Sequence, residues 1–465
     1  MTHRRHFLKT TLGGATGLIA LPHIFSGSLF AADSPNKRIQ VAQIGCGRMG
    51  LADMEALLSE KLARVVAVCD LDSKRAAHAK TVVEDYYKKQ GESAVEVKIY
   101  SNHLELLANP EIDAVVNSTP DHWHGLVGVA AAIAGKHIYC QKPLTYNIAE
   151  SIALRTAVRS KKVILQTGSQ QRSKSPFTAF RSAIDAVRNG RVGKLKSVKI
   201  GVGLDKASGK RPAAMPIPPA FNFDLWLGPA PEQEYMETRC HPQNSFGGRP
   251  GWITTEDFGL GMITNWGAHH IDIAQLAMGQ ELGGPSKIDA KAAFMTDDAW
   301  TVHSTYHIEM LYPDDVTVTV DNKFENGLKF EGDEGWIFCT RGDAKVTASD
   351  GNVPGDGKSP LRASDPKLIS PLGADAKLLL KSANHYRNWL EAIVANKDLI
   401  APVDQAARSL QTCAAAWIGM KLGRPLTWDV ATESFAGDDE ANAMRSRAPR
   451  KPEYDIQALL KSGKI

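Results

Sequence analysis

The six cysteines, Cys46, Cys69, Cys140, Cys240, Cys339 and Cys413, show no paired spacing, which argues against a disulfide framework and reads them as small core residues. Excess charge is also scarce. Against 51 acidic residues stand 55 basic ones, a formal net charge of +4 with part of the excess in the first nine positions, so there is no footprint for nucleic acid or an anionic membrane surface. No internal repeat is present, and beyond Ile24 no apolar run approaches the length of a membrane helix. What remains is a chain of 465 residues, 43% apolar and 23% charged, the composition of a globular protein long enough to bury two cores.

The N-terminus carries a positive signal. Arg4-Arg5-His6-Phe7-Leu8-Lys9 precedes an apolar, Gly/Ala-rich stretch from Thr10 to Ile24, and Ala31-Ala32 leads into polar residues. This is the pattern of a twin-arginine signal peptide, so residues 1–33 are expected to direct export to the periplasm. The apolar run is too short and too rich in Gly and Thr for a spanning anchor, and no membrane span is expected after signal removal. A route that carries folded proteins lets a cofactor load before export.

Beyond the signal, short β-rich runs (38–44, 64–70, 97–100, 114–118, 137–140 and 163–166) alternate with helical stretches at 49–58, 73–89, 126–134 and 149–159. That rhythm predicts an α/β doubly wound parallel sheet over residues 34–167. From Leu195 the runs become alternating and β-branched, at 197–203, 302–311, 316–322 and 335–340, interrupted by a Pro-rich segment at 211–231. Residues 168–465 are therefore expected to form a C-terminal α+β domain with a large, open, mainly antiparallel sheet. Helices are expected at 271–278, 383–395 and 406–422, and an extended surface tail from Thr432.

Gly45-Cys46-Gly47-Arg48-Met49-Gly50 follows the first strand and opens a helix. The first glycine permits a tight turn, the second admits a pyrophosphate to the backbone, and the third lets helix and strand pack closely. The second strand ends in Asp70, where a carboxylate accepts hydrogen bonds from a ribose. Asp70 favours NAD because it repels a 2′-phosphate, while Lys74 and Arg75 one turn on keep NADP open.

The fourth strand runs into Asn117-Ser118-Thr119-Pro120-Asp121-His122-Trp123-His124 and the fifth into Gln141-Lys142-Pro143, both at the switch point where such sheets bind ligands. A lysine at that place serves as a proton acceptor or donor if burial lowers its pKa. In the second domain, Asn265, His269 and Asp272 fall on one helical face. Neither His122/His124 nor His270 is followed by thiolates or carboxylates at zinc spacing, so no metal is expected. His270 also fits a hydrogen-bonded core residue.

Together the glycine turn, Thr119-Pro120 with His124, Lys142-Pro143, the Gly168-Ser169-Gln170-Gln171-Arg172 turn, Gly267-x-His269-x-x-Asp272 and the tail Gly423-Arg424-Pro425-Leu426-Thr427-Trp428-Asp429 resemble the glucose–fructose oxidoreductase / inositol dehydrogenase (Gfo/Idh/MocA) family, in a branch common among exported proteins. The resemblance implies a sugar or polyol (cyclitol) dehydrogenase in which Lys142 is catalytic, His269 handles the substrate hydroxyl proton, and the second sheet makes a homo-oligomer, dimer or tetramer. It places Gly45, Gly47, Arg48, Met49, Gly50, Asp70, Thr119, Pro120, His124, Lys142 and Gln170 at the cofactor, and Arg172, Arg239, His241, His269 and His270 around the sugar. Two departures stand out: Gln141 where the family usually has Glu, and Asn265 where it usually has Asp. Asn265 hydrogen-bonds a hydroxyl but takes no proton. A tightly held cofactor is expected outside the cytoplasm. Two other readings stay open: a redox-assisted glycosidase or lyase working through a keto-sugar, and a sugar-binding protein with a retired active site.

Overall fold

Runs such as Val41-Ala42-Gln43-Ile44 and Ala114-Val115-Val116 are short and buried along their whole length, which suits strands covered by helices on both faces. The computed structural model describes residues 38–92, 95–173, 177–342 and 359–465; the signal-peptide expectation falls on residues outside these. In it, β1 (Ile39–Ile44), β2 (Ala63–Cys69), β3 (Lys98–Tyr100), β4 (Ala114–Asn117), β5 (His137–Cys140) and β6 (Leu165–Thr167) pair in parallel in the order β3-β2-β1-β4-β5-β6. The order reverses between β1 and β4, so the loops leaving these two strands diverge and leave a crevice at their C-terminal ends. The helix expected from Leu126 begins at Asp121 instead, since Pro120 stands at its N-cap and an acidic residue opens its first turn.

The second sheet contains β7 (Leu195–Gly201), β8 (Lys287–Phe294), β9 (His303–Leu311), β10 (Thr317–Asp321), β11 (Gly327–Gly332), β12 (Gly335–Cys339), β13 (Leu361–Ala363), β14 (Leu426–Asp429) and β15 (Ser434–Phe435). Their order is β13-β12-β11-β7-β10-β9-β8-β14-β15, antiparallel throughout except for β7 beside β10. Alternation is clean: in β9, Tyr306, Ile308 and Met310 are buried while Thr305, His307 and Glu309 face outward. The buried face packs on helices Thr178–Arg188, Gly267–Met278 and Val403–Leu422 in one apolar core. The last of these also inserts Val403, Ala406, Ala407 and Leu410 into the core of the first domain, which fixes the two domains to each other.

Two expectations are corrected. Strand β8 escaped the sequence reading because Lys-Ile-Asp-Ala-Lys-Ala-Ala-Phe is rich in residues of low β-propensity, and cross-strand packing overrides that preference. The tail is not simply an extended surface segment. Phe435 and Ala441 are buried, and helix Ile456–Ser462 lies against the Rossmann helices with Tyr454 edge-on to Trp123. All six cysteines are buried and free. Among the described residues no helix is long and apolar enough to cross a membrane.

Candidate active site

The glycine turn is built for close approach. Gly45 takes φ +85°, and a Cβ there would meet Ser118 O at 2.6 Å; at Gly50 one would meet Gly45 O at 1.9 Å. Beside Gly47 nothing lies within 4 Å. No side chain caps the helix Arg48–Leu58 that follows, so its first amides remain available to an anion. These features fit the pyrophosphate of a dinucleotide. They open onto a cleft of ≈ 1380 Å³, counted to its mouth, whose walls include Gly45, Gly47, Arg48, Met49, Asp70, Thr119, Pro120, His124 and Lys142.

Asp70 stands at one end. Its Oδ2 accepts from Cys46 N at 2.7 Å and its Oδ1 from Asp72 N at 2.9 Å; burial nevertheless raises its pKa. Arg75, one of the two residues that left NADP open, is already engaged: it donates to the carbonyls of Pro242 (2.7 Å) and Ser245 (3.1 Å). This leaves Asp70 on the cleft wall without a free arginine beside it and agrees with NAD as the cofactor.

Beneath the turn lies a buried carboxyl group that the sequence did not advertise. Asp53 accepts from Ser118 Oγ (2.6 Å), Tyr386 OH (2.6 Å) and both ways from Gln141 Nε2 (2.8 and 3.0 Å). Here is the reason for Gln141. A glutamate at that position would set two carboxylates at hydrogen-bond distance, and one would have to stay protonated. Gln170, expected at the cofactor, belongs to this network instead, donating to Tyr386 OH at 2.7 Å. Burial lifts the Asp53 pKa from 3.8 to about 6 against the bonds it accepts. An acid whose folded pKa is raised stabilises the fold below its unfolded pKa and loses that contribution as pH rises through the folded value. Stability is therefore expected to fall by up to about 3 kcal/mol between roughly pH 4 and 6, and Asp53→Asn flattens that stretch; urea unfolding across this range checks it.

At the other end of the cleft, Lys142 Nζ donates to Asn265 Oδ1 and to Asn265 O, each at 3.1 Å. Asn265 closes the short helix Met262–Asn265, and the helix Gly267–Met278 continues after Trp266. His124 ties the strand ends together, with Nδ1 2.6 Å from Pro143 O and Nε2 2.9 Å from Thr119 O. His269 lies one turn beyond Asn265. It is buried, its Nδ1 has no partner among the described residues, and burial, with Arg341 and Lys142 adding to it, holds its pKa well below the usual value. Unlike Lys142 and Asn265, it is not on the cleft wall.

The other residues expected around the sugar are placed elsewhere. Arg172 forms a two-bond ion pair with Asp272 at 2.6 Å, both 2% exposed. Arg239 donates to Ala299 O and Asp298 O. His270 is a core residue between Gln171 and Asn326. Only His241 reaches the cleft, at the Asp70 end, where its Nε2 lies 3.1 Å from Asp72 Oδ2. In exchange the structure brings in Asp121 and Trp252. Asp121 had a sequence signal, an acid directly after the proline that follows β4; Trp252 had none. No three His, Cys, Asp or Glu among the described residues converge as a metal would need.

Two family models match the chain: an oxidoreductase family with an NAD-binding Rossmann fold, over residues 39–169, and the C-terminal alpha/beta domain of an oxidoreductase family, over residues 204–345. Myo-inositol 2-dehydrogenase of Thermotoga maritima is 30% identical over 162 residues, 35% of this chain and 44% of that protein. Alpha-N-acetylgalactosaminidase of Shewanella oneidensis is 30% identical over 162 residues, 32% of this chain and 35% of that one. The chain thus spans less than half the length of these curated relatives. The WlbA dehydrogenase of Bordetella pertussis, solved with NADH and UDP-GlcNAcA, superposes with a TM-score of 0.58 at 16% identity, covering 84% of this chain and 99% of that one; the likeness shows a shared fold.

Proposed function

Because the chain belongs to the Gfo/Idh/MocA oxidoreductase family, with its NAD-binding Rossmann domain and C-terminal alpha/beta domain, we propose that it oxidises or reduces a hydroxyl-bearing carbon of a sugar or polyol. The observation that carries this is the contact of Lys142 from the first domain with Asn265 from the second, 3.1 Å apart at the far end of the cleft that begins at the glycine turn. Bound NAD supplies the hydride acceptor or donor. Lys142 takes the hydroxyl proton. Asn265 orients the lysine through its oxygen and keeps its amide N–H groups for the substrate, while His269 waits one turn away as a neutral imidazole. Trp252, half-buried in the wall, offers an apolar face to the C–H side of a sugar ring.

A tightly held cofactor is part of the proposal. The loop after Cys240 closes over the Asp70 end: Gln243 Nε2 donates to Asp72 Oδ2 at 3.1 Å, Arg75 binds the loop carbonyls, and Phe246 stacks on His78 with ring centroids 4.2 Å apart. Replacing Gln243 and Phe246 together by Ala is expected to speed cofactor release by about tenfold or more; stopped-flow fluorescence of reduced nicotinamide measures it. Export to the periplasm and assembly into a homo-oligomer belong to the same proposal, and such a clasp suits a protein working where free NAD is scarce.

The test is an absorbance spectrum of the purified protein before and after a panel of sugars and polyols. A reduced-nicotinamide band should rise with one of them; if NAD fails to bind, or no member of the panel or its keto form exchanges hydride, the proposal falls. The match to an alpha-N-acetylgalactosaminidase, as strong in identity as that to the inositol dehydrogenase, favours one second reading, glycoside cleavage through a keto intermediate. Release of the aglycone from aryl glycosides would establish it.

A further inference from the structure

Asp53 lies one turn past Gly50 on the helix Arg48–Leu58 and is 0% exposed, so it touches neither cofactor nor substrate. Its carboxyl group nevertheless gathers the strand ends that border the cleft. Ser118, which donates to it, leaves β4, and Gln141, which donates to both its oxygens, leaves β5 one residue ahead of Lys142; both residues line the cleft. Gln43, on β1, extends the set by donating to Ser118 Oγ at 3.1 Å and to Gly45 O at 2.9 Å. From the second domain comes Tyr386, in the first turn of the helix His385–Ala395.

The two ends of an amide are not equivalent, and an ionised carboxylate only accepts. Asp53 therefore draws the NH₂ end of Gln141 to itself and turns the oxygen the other way, where Oε1 accepts from the backbone N–H of Lys142 at 3.3 Å. Gly168 makes room for that oxygen: a Cβ there would stand 2.7 Å from Oε1. The lysine is thus held at two points, its peptide by this amide and its Nζ by Asn265.

We propose that Asp53 is the positioning residue of Lys142: by fixing which way the Gln141 amide points, it fixes the peptide from which the lysine reaches the substrate. The inference rests on the reading that Lys142 handles the hydroxyl proton. It also gives the Gln141 departure a use, because the acid then sits beneath the glycine turn and the amide relays its hold to the lysine. Asp53→Asn presents a donor and an acceptor together, so Gln141 can turn either end to it and the contact of Oε1 with Lys142 N is no longer enforced. A displacement of about 1 Å at a reacting group costs up to about 10²-fold in rate.

The experiment reverses the pair. Asp53→Asn is expected to lower kcat for sugar-dependent reduction of NAD by about tenfold, with KM for sugar and Kd for NAD changed by less than about threefold. Asp53→Asn combined with Gln141→Glu restores one acid and one amide in exchanged places. The new carboxylate accepts from the new amide with one oxygen and from Lys142 N with the other, so kcat returns to within about threefold of wild type; a loss of packing would not be repaired this way. A second readout needs no turnover. With lysine-selective ¹⁵N labelling, and Lys142→Arg to assign the resonance, the Lys142 amide should exchange with solvent about tenfold faster in Asp53→Asn and recover in the double variant. The Lys136 amide, bonded to Ala131 O ahead of β5, keeps its rate throughout. Should Asp53→Asn not fold, Gln141→Met removes the amide from the same pair and carries the rate and exchange readings. A kcat or a Lys142 exchange rate within about twofold of wild type, or a double variant as slow as the single one, overturns the proposal. If the wild type reduces no NAD with any sugar or polyol, the functional reading fails while exchange of the Lys142 amide still decides the positioning.

Discussion

Lys142→Met is expected to lower single-turnover reduction of bound NAD by about 10²–10⁴-fold, the usual range for loss of a positioned acid–base group, while leaving cofactor binding intact. The substitution removes the amine and keeps most of the aliphatic stem, so the wall of the cleft stays filled. Lys142 lies at the end opposite Asp70, and the features that hold a dinucleotide, the glycine turn and the open first amides of Arg48–Leu58, lie elsewhere. Loss should therefore appear in the rate at saturating sugar more than in cofactor affinity, because an interaction made mainly in the transition state is what has gone. Rapid-mixing absorbance with excess sugar reads it. Turnover within twofold of wild type would remove Lys142 from the chemistry and with it the proposed mechanism.

The second large effect is on stability. Arg172 and Asp272 are both 2% exposed and joined by two bonds of 2.6 Å, and Arg172 also donates to Ile400 O at 3.0 Å and to Gln405. Arg172→Met leaves the Asp272 carboxylate buried without its partner, which costs about 3–5 kcal/mol. Adding Asp272→Leu removes the orphaned charge and is expected to recover most of the loss, since two apolar groups replace the pair. Urea midpoints of the single and double variants decide this. An Arg172→Met protein as stable as wild type, with a raised KM for sugar, would return Arg172 to the substrate pocket where the sequence reading had put it.

That misplacement shows where sequence reasoning stops. The Gly168-Ser169-Gln170-Gln171-Arg172 turn is a local feature and was recognised as a unit, but its side chains point away from the cleft. Gln170 reaches Tyr386 and Arg172 reaches Asp272, partners 216 and 100 residues away. Histidines gave the same trouble. The periodicity that puts Asn265 and His269 on one face is real, yet Asn265 lies on the cleft wall while His269, one turn further, is buried off that wall. Strand β8 was hidden by its alanines and lysines, whereas β9, with its aromatic and β-branched residues, was plain.

By itself the amino-acid order determined the features that live within one turn or one repeat. These are the doubly wound alternation of strands and helices, the glycine spacing that leaves Gly45 free to take φ +85° and Gly47 open to a ligand, the carboxylate closing β2, and a lysine at the end of β5. Each follows from backbone sterics or from a short periodicity, which neighbouring residues control. Only the tertiary structure decided what those groups face. Gln141 is explained by Asp53, 88 residues away, and Lys142 finds Asn265 at a separation of 123. Charge and hydrogen bonding act across space, so a carboxylate's partner and its pKa belong to the packed molecule.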